Sequence, residues 1–235
     1  MAVLHSETIE LERKGSRLTG LLVRPDTMDP LPGVVQIQEW WGIEPHVVDL
    51  AHQLAAEGFV VLVPDLFHGK VVTEPDEAQK AVMQLYHNLE NALREIQVAI
   101  DTLKARPDVD PKRVGVMGFC VGGMLTWHAA LRSPDVAAAV PWYAGGFDPT
   151  EEQIAGLQTP VLAIYGGKDP SIPMEQIRKI ESLLQAAGKD ADVRVYPEAG
   201  HAFLNPAHGM RHEESAQDAW PRAVAFLKKH VAARA

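Results

Sequence analysis

A chain of 235 residues, 46% hydrophobic and 23% charged, has ordinary globular composition and suits one large α/β domain able to bury a core without staples. Its formal net charge of −9 argues against nucleic acid or an anionic membrane as the main partner, and a single cysteine excludes an internal disulfide. No apolar run is long enough to span a bilayer, and Met1-Ala2-Val3-Leu4-His5-Ser6-Glu7 lacks the basic and apolar segments of a secretion signal, so a reducing cytoplasm is the expected location.

Taken in order, Thr8 to Glu12 alternates apolar and polar residues, and Leu18 to Val23 follows after Lys14-Gly15-Ser16, which predicts an opening hairpin. Pro25 to Pro32 reads as a surface loop and Gly33 to Ile37 as a short strand. A helix is expected from Pro45, with Val47, Leu50, Leu54 and Ala55 at helical spacing and Gly58 as its stop. Phe59 to Val63 is apolar on both faces, as a central parallel strand should be. A polar stretch to Gln79 precedes a long helix with a stripe of Leu89, Leu93, Ile96, Ile100 and Leu103, ending before Pro107. Arg113 to Met117 is of strand type, and Gly123 to Leu131 of helix type. Ala137 to Val140 and Val161 to Tyr165 follow as strands, Met174 to Ala187 as a helix, Val193 to Tyr196 as a strand, and a last helix holds Ala219, Ala223, Phe226, Leu227 and Val231 on one side. This alternation from Gly33 onward predicts a single α/β domain over residues 1–235: a mostly parallel sheet with helices on both faces and the antiparallel hairpin at one edge.

Between the strand ending at Met117 and the helix beginning at Gly123 lies Gly118-Phe119-Cys120-Val121-Gly122, which carries the one cysteine. Strand, Gly-x-nucleophile-x-Gly, helix is the layout of a nucleophile elbow. The turn is so tight that the residues two before and two after the nucleophile pass too close for a β-carbon. It also leaves the first N–H groups of the helix aimed at the nucleophile. Alone the motif is weak, because a lone cysteine after an apolar strand is usually a small buried hydrophobe. In open parallel sheets, however, ligands bind beyond the carboxyl ends of the strands. Those ends carry Glu39-Trp40, Asp65 with His68, Cys120, Trp142-Tyr143, Asp169 and His201. Thiol, acid and imidazole occur in the chain order of the α/β-hydrolases, with cysteine in place of serine.

The chain resembles the dienelactone hydrolase (carboxymethylenebutenolidase) family over most of its length. The residues that carry the likeness are Gln38-Glu39-Trp40-Trp41-Gly42 with Pro45-His46, Pro64-Asp65-Leu66-Phe67, Gly118 to Gly123, Tyr165-Gly166-Gly167-Lys168-Asp169 and Gly200-His201-Ala202-Phe203. The resemblance implies an α/β-hydrolase fold and the cleavage of a small ester or lactone by way of a thioester acyl-enzyme. It further implies Cys120 as nucleophile, His201 as base, Asp169 as the acid orienting it, and an oxyanion hole formed by the N–H groups of Trp40 and Val121. Glu39 is implied to contact the thiol and take its proton when substrate binds, and its two tryptophan neighbours suggest a desolvated carboxyl of raised pKa.

For substrate binding the family's namesake uses two arginines. The position four residues after His201 holds Asn205 here, and the stretch after Pro75 offers Gln79 and Lys80 but no arginine; Arg211 is a further basic candidate. Trp40, Trp41, Phe67, Trp142, Tyr143 and Phe203 are candidates for an apolar pocket suited to neutral esters, against a simple role in core packing. The alternative readings are a broad carboxylesterase or thioesterase with the same triad, and a non-catalytic small-ligand-binding protein on a hydrolase frame. A redox-sensing thiol is disfavoured, since no second cysteine exists to resolve it. Neither Asp65 with His68 nor His208 and His212 with Glu213 has a metal-ligand spacing, so no metal or cofactor is expected, and the chain should act as a monomer or small homo-oligomer.

Overall fold

The computed structural model of the chain describes residues 3–13, 16–27 and 29–231. Strands β1 (Leu4–Arg13) and β2 (Ser16–Pro25) pair antiparallel along their whole length as the opening hairpin. Its expected turn residues Lys14 and Gly15, like Met1 and Ala2, lie outside the described residues. The remaining strands are β3 (Leu31–Ile37), β4 (Val60–Pro64), β5 (Val109–Phe119), β6 (Ala138–Trp142), β7 (Val161–Gly166) and β8 (Ala191–Tyr196). All eight form one sheet in the order β1-β2-β4-β3-β5-β6-β7-β8. Only the β1–β2 and β2–β4 pairings are antiparallel.

All five residues of β4 and all six of β7 are buried, and their continuous apolar runs are what a strand covered on both faces requires. The helices supply that cover: α1 (Pro45–Ala56), α2 (Pro75–His87), α3 (Leu89–Lys104), α4 (Val121–Arg132), α5 (Glu151–Gly156), α6 (Met174–Ala186) and α7 (Glu213–Val231). The chain runs from β3 to β4 on one side and then back to β5 on the other, so strand order reverses at β3. The carboxyl ends of β3 and β5 therefore flank the crevice where ligands of open α/β sheets bind.

Three elements differ from the sequence expectation. The stretch after Pro75 is helical from Pro75 itself, with Asp76 and Glu77 in the first turn, and it breaks from α3 at Asn88. Its apolar stripe is thin, only Ala78 and Leu85 being fully buried, which is why periodicity hid it. β5 starts at Val109 rather than Arg113, because Val109 pairs with Leu31 before a register shift absorbs the exposed Pro111-Lys112 and its neighbours ahead of Val114. Helix α5 is short and begins with a capping box: Gln153 N–H donates to the Thr150 hydroxyl at 3.2 Å, and Thr150 N–H to the Gln153 side chain at 2.9 Å.

Candidate active site

Cys120 joins β5 to α4 as the residue before the helix, with φ 56° and ψ −117°. Left-handed backbone at a side-chain-bearing residue costs on the order of 1–3 kcal/mol, so the surroundings must enforce it. They do. Cys120 N–H donates to the Trp142 carbonyl at 3.1 Å, its own carbonyl accepts from Met124 N–H at 3.2 Å, and the crossing backbones leave no room for side chains. A β-carbon on Gly118 would lie 2.3 Å from the Gly122 carbonyl oxygen, and one on Gly122 would lie 2.4 Å from that of Gln38. The thiol-bearing residue is half-buried, at the N-terminus of α4, where the Val121 N–H has no intrahelical acceptor. Among the described residues, neither that N–H nor the Trp40 N–H donates to a protein acceptor.

The imidazole and its acid come from the loops after β8 and β7. His201 Nδ1 lies 2.6 Å from Asp169 Oδ2, and Ser171 N–H donates to Asp169 Oδ1 at 2.8 Å, so the fully buried carboxylate is held at both oxygens. The Cys120 side chain is near enough to the ring to favour its charged form. Burial opposes a charge on His201, but the hydrogen bond to Asp169 and the influence of nearby Cys120 outweigh it, raising the imidazole to about 10. Two neighbours of this cluster are also left-handed without being glycine, Tyr143 at φ 33° and Ala202 at φ 52°. Three of the four such residues in the described chain thus gather here.

Glu39, at the end of β3, is 1% exposed. Burial raises its carboxyl to about 7, against the lowering effect of the hydrogen bonds it accepts from Asn205 and Tyr143. The Tyr143 hydroxyl donates to Oε1 at 3.0 Å and Asn205 Nδ2 to Oε2 at 2.7 Å. Those two partners, rather than the thiol, hold Glu39 in this structure, with His201 close enough for its charge to be felt. Asn205 Nδ2 donates also to Glu44 Oε1 at 2.9 Å, and Asn205 Oδ1 accepts from Ala207 N–H at 2.8 Å.

Other candidate residues divide. Trp40, Trp41, Met210, Glu39, His201 and Asn205 line one narrow cavity, the two indoles 4.7 Å apart. Trp142 and Phe203 are fully buried and pack against each other and Tyr143, giving their rings to the core. Phe67 is buried beside Gly42. Lys80 is exposed on α2, about 200° around the helix from buried Ala78. Arg211 donates to Glu213 at 2.6 Å and to the Leu204 carbonyl at 3.0 Å, and it lines a separate cavity with His46 and Trp220.

Two residues of the site were not among the candidates. Glu44 precedes α1 and shares the Asn205 amide. Tyr86, on α2, donates its hydroxyl to the Gly145 carbonyl at 3.3 Å, and its phenol is raised by burial and then by the charge of Cys120. The phenol occupies the space that a side chain on Gly146 would fill, a β-carbon there lying 2.6 Å from its oxygen.

Comparison with known proteins gives the family and the fold. Residues 18–231 match the model of the Dienelactone hydrolase family. The chain is 33% identical over 242 residues to the "Putative carboxymethylenebutenolidase" of Yersinia pestis, covering 97% of this chain and 89% of that protein. A crystal structure titled as a "Putative Dienelactone Hydrolase" from Klebsiella pneumoniae superposes with a TM-score of 0.79 at 29% identity, over 97% of this chain and 99% of that one. The fold is shared as well with a dienelactone hydrolase-like promiscuous phosphotriesterase from metagenomic libraries, at a TM-score of 0.89 and 23% identity, over 98% and 99% of the two chains. With an eight-stranded, mostly parallel sheet and a match spanning nearly all of its length, the chain is an α/β-hydrolase and belongs to the dienelactone hydrolase family.

Proposed function

We propose that this hydrolase cleaves a lactone or small carboxylic ester through Cys120, His201 and Asp169, with a thioester acyl-enzyme between its two half-reactions. The observation that carries the reading is one imidazole bonded to a buried carboxylate at 2.6 Å and close enough to be affected by a cysteine held left-handed at a helix N-terminus.

Cys120 Sγ attacks the carbonyl carbon, and the carbonyl oxygen takes up charge between the Trp40 and Val121 N–H groups. Removing one such donor costs on the order of 10²–10³ in turnover in enzymes of this kind. The C–O bond breaks as the His201 imidazolium protonates the departing alkoxide, leaving acyl on sulfur. Water then attacks the thioester, giving a proton to His201, and the C–S bond breaks with the sulfur leaving as thiolate, which Glu39 reprotonates. Asp169 fixes the ring by accepting from Nδ1–H, so the other nitrogen faces the reacting atoms. Glu39, with a carboxyl raised to about 7, accepts the thiol proton once substrate disturbs its bonds to Tyr143 and Asn205.

Among the described residues no helix is long and apolar enough to cross a membrane. We assign the enzyme to a reducing cytoplasm, which keeps its lone thiol competent, as a monomer or small homo-oligomer acting on small molecules. Hydrolysis of 4-nitrophenyl acetate tests the reaction. Cys120→Ala should lower kcat/KM by at least about 10³-fold, and retention of more than a tenth of the activity would refute the assignment. A dead wild-type protein that still binds esters would favour a binding protein on the same frame.

A further inference from the structure

We infer that the outer edge of β8 (Ala191–Tyr196) docks a second copy of this chain, which adds antiparallel and joins the two eight-stranded sheets into one. β8 ends the strand order, so only one of its edges is paired. Val161 N–H donates to the Asp190 carbonyl at 3.0 Å and Gly167 N–H to the Tyr196 carbonyl at 2.8 Å. Backbone groups point to alternate edges along a strand, so the even-numbered residues between these two bonds give theirs to β7. Val193 and Val195 then turn both N–H and C=O outward, as Ala191 does its carbonyl, while the Ala191 N–H bonds locally to the Lys189 carbonyl at 2.9 Å. A row of outward groups is a template for another strand. The opposite edge of the sheet is blunted, because β1 carries exposed Glu7, Glu10 and Glu12, a run of one sign that repels a copy of itself.

On β8 the side chains are complementary to themselves about a two-fold axis at Val193. In that register Val193 meets its own copy, Ala191 of each chain meets Val195 of the other, and Asp192 of each meets Arg194 of the other. Asp192 and Arg194 are bonded along the strand at 2.8 Å, on the face where the Tyr196 hydroxyl donates to Asp218 of α7 at 2.8 Å. Exchanging that pair across the axis keeps every charge matched. Ala191, Val193 and Val195 lie half-buried on the other face, and would meet as apolar cross-strand pairs. Sliding the strands one pleat either way sets Asp192 against Asp192 or Arg194 against Arg194, which is unfavourable. Charge therefore selects the register, and the outward backbone groups supply the contact. The two sheets run in opposite directions in such a pair, so both catalytic mouths stay open.

Sedimentation velocity over a concentration series tests this without reference to the reaction. The unmodified protein should approach twice the mass of one chain as concentration rises. Arg194→Glu sets acid opposite acid at both pairs and should weaken the dimer at least about tenfold. Asp192→Arg combined with Arg194→Asp restores opposite charges and should return the affinity to within about threefold of the unmodified protein. Val193→Pro removes an outward N–H without touching a bond to β7, and should leave a monomer with the circular dichroism of the unmodified chain. A protein that stays monomeric at every concentration would overturn the inference. So would a dimer that keeps its affinity in Arg194→Glu, or one that the double exchange fails to restore.

Discussion

A carboxyl that is 1% exposed and raised to about 7 can change charge within the working range of the enzyme, and Glu39 is such a group. The role proposed for it, accepting the thiol proton, requires the ionised form, so kcat/KM should rise with pH along a limb centred near 7. Glu39→Gln should lose that limb and lower kcat by about 10²–10⁴-fold, the span of general-base contributions. A pH–rate profile in which the variant keeps the same limb would assign it to another group. This residue was legible in the sequence because a glutamate directly before two tryptophans ends a buried strand. Its partners were not. Tyr143 lies 104 residues and Asn205 166 residues from Glu39, and no local pattern marks either approach.

At the scale of elements, the site depends on β5 and α4 meeting at a backbone crossing rather than on any single bond. Gly122→Ala would drive a β-carbon to 2.4 Å from the Gln38 carbonyl oxygen, which belongs to rigid backbone beside β3. Overpacking of this kind costs about 1–3 kcal/mol or more. Thermal unfolding should show the loss, and the thiol should be displaced with it, so that activity falls further than stability. Gly156→Ala, where an added β-carbon meets nothing within 4 Å, is the matched control and should leave both near wild type. Equal effects at the two positions would contradict the crossing. The elbow could be read from sequence because Gly-x-Cys-x-Gly falls where strand spacing gives way to helix spacing. Helix α2 could not, since two buried residues make too thin a stripe to separate it from a polar loop.

For the whole molecule, the same buried groups couple stability to pH. Glu39 is raised from 4.5 to about 7, so the folded state holds this proton more tightly than the unfolded one; the resulting stabilisation is full below about 4.5 and is lost as pH climbs through 7. His201, raised from 6.5 to about 10, contributes fully below 6.5 and loses its share as pH passes 10. Both slopes have one sign, and urea midpoints should fall from pH 5 to pH 9. Glu39→Gln should flatten the neutral part of that fall, by up to about 3 kcal/mol; an unchanged slope would remove Glu39 as its source. Chain order made the triad candidates legible across the full length, because Cys120, Asp169 and His201 each follow their own strand. The division of the aromatic residues between cavity and core was not, since a buried tryptophan such as Trp142 and a cavity-lining one such as Trp40 look alike until the sheet is closed. The most direct measurement is intact-protein mass spectrometry after rapid mixing with excess 4-nitrophenyl acetate and acid quench. The account predicts one added acetyl group, mapped to Cys120 and lost within the turnover time. Steady turnover with no acyl adduct on Cys120, or with the adduct on another residue, would contradict it.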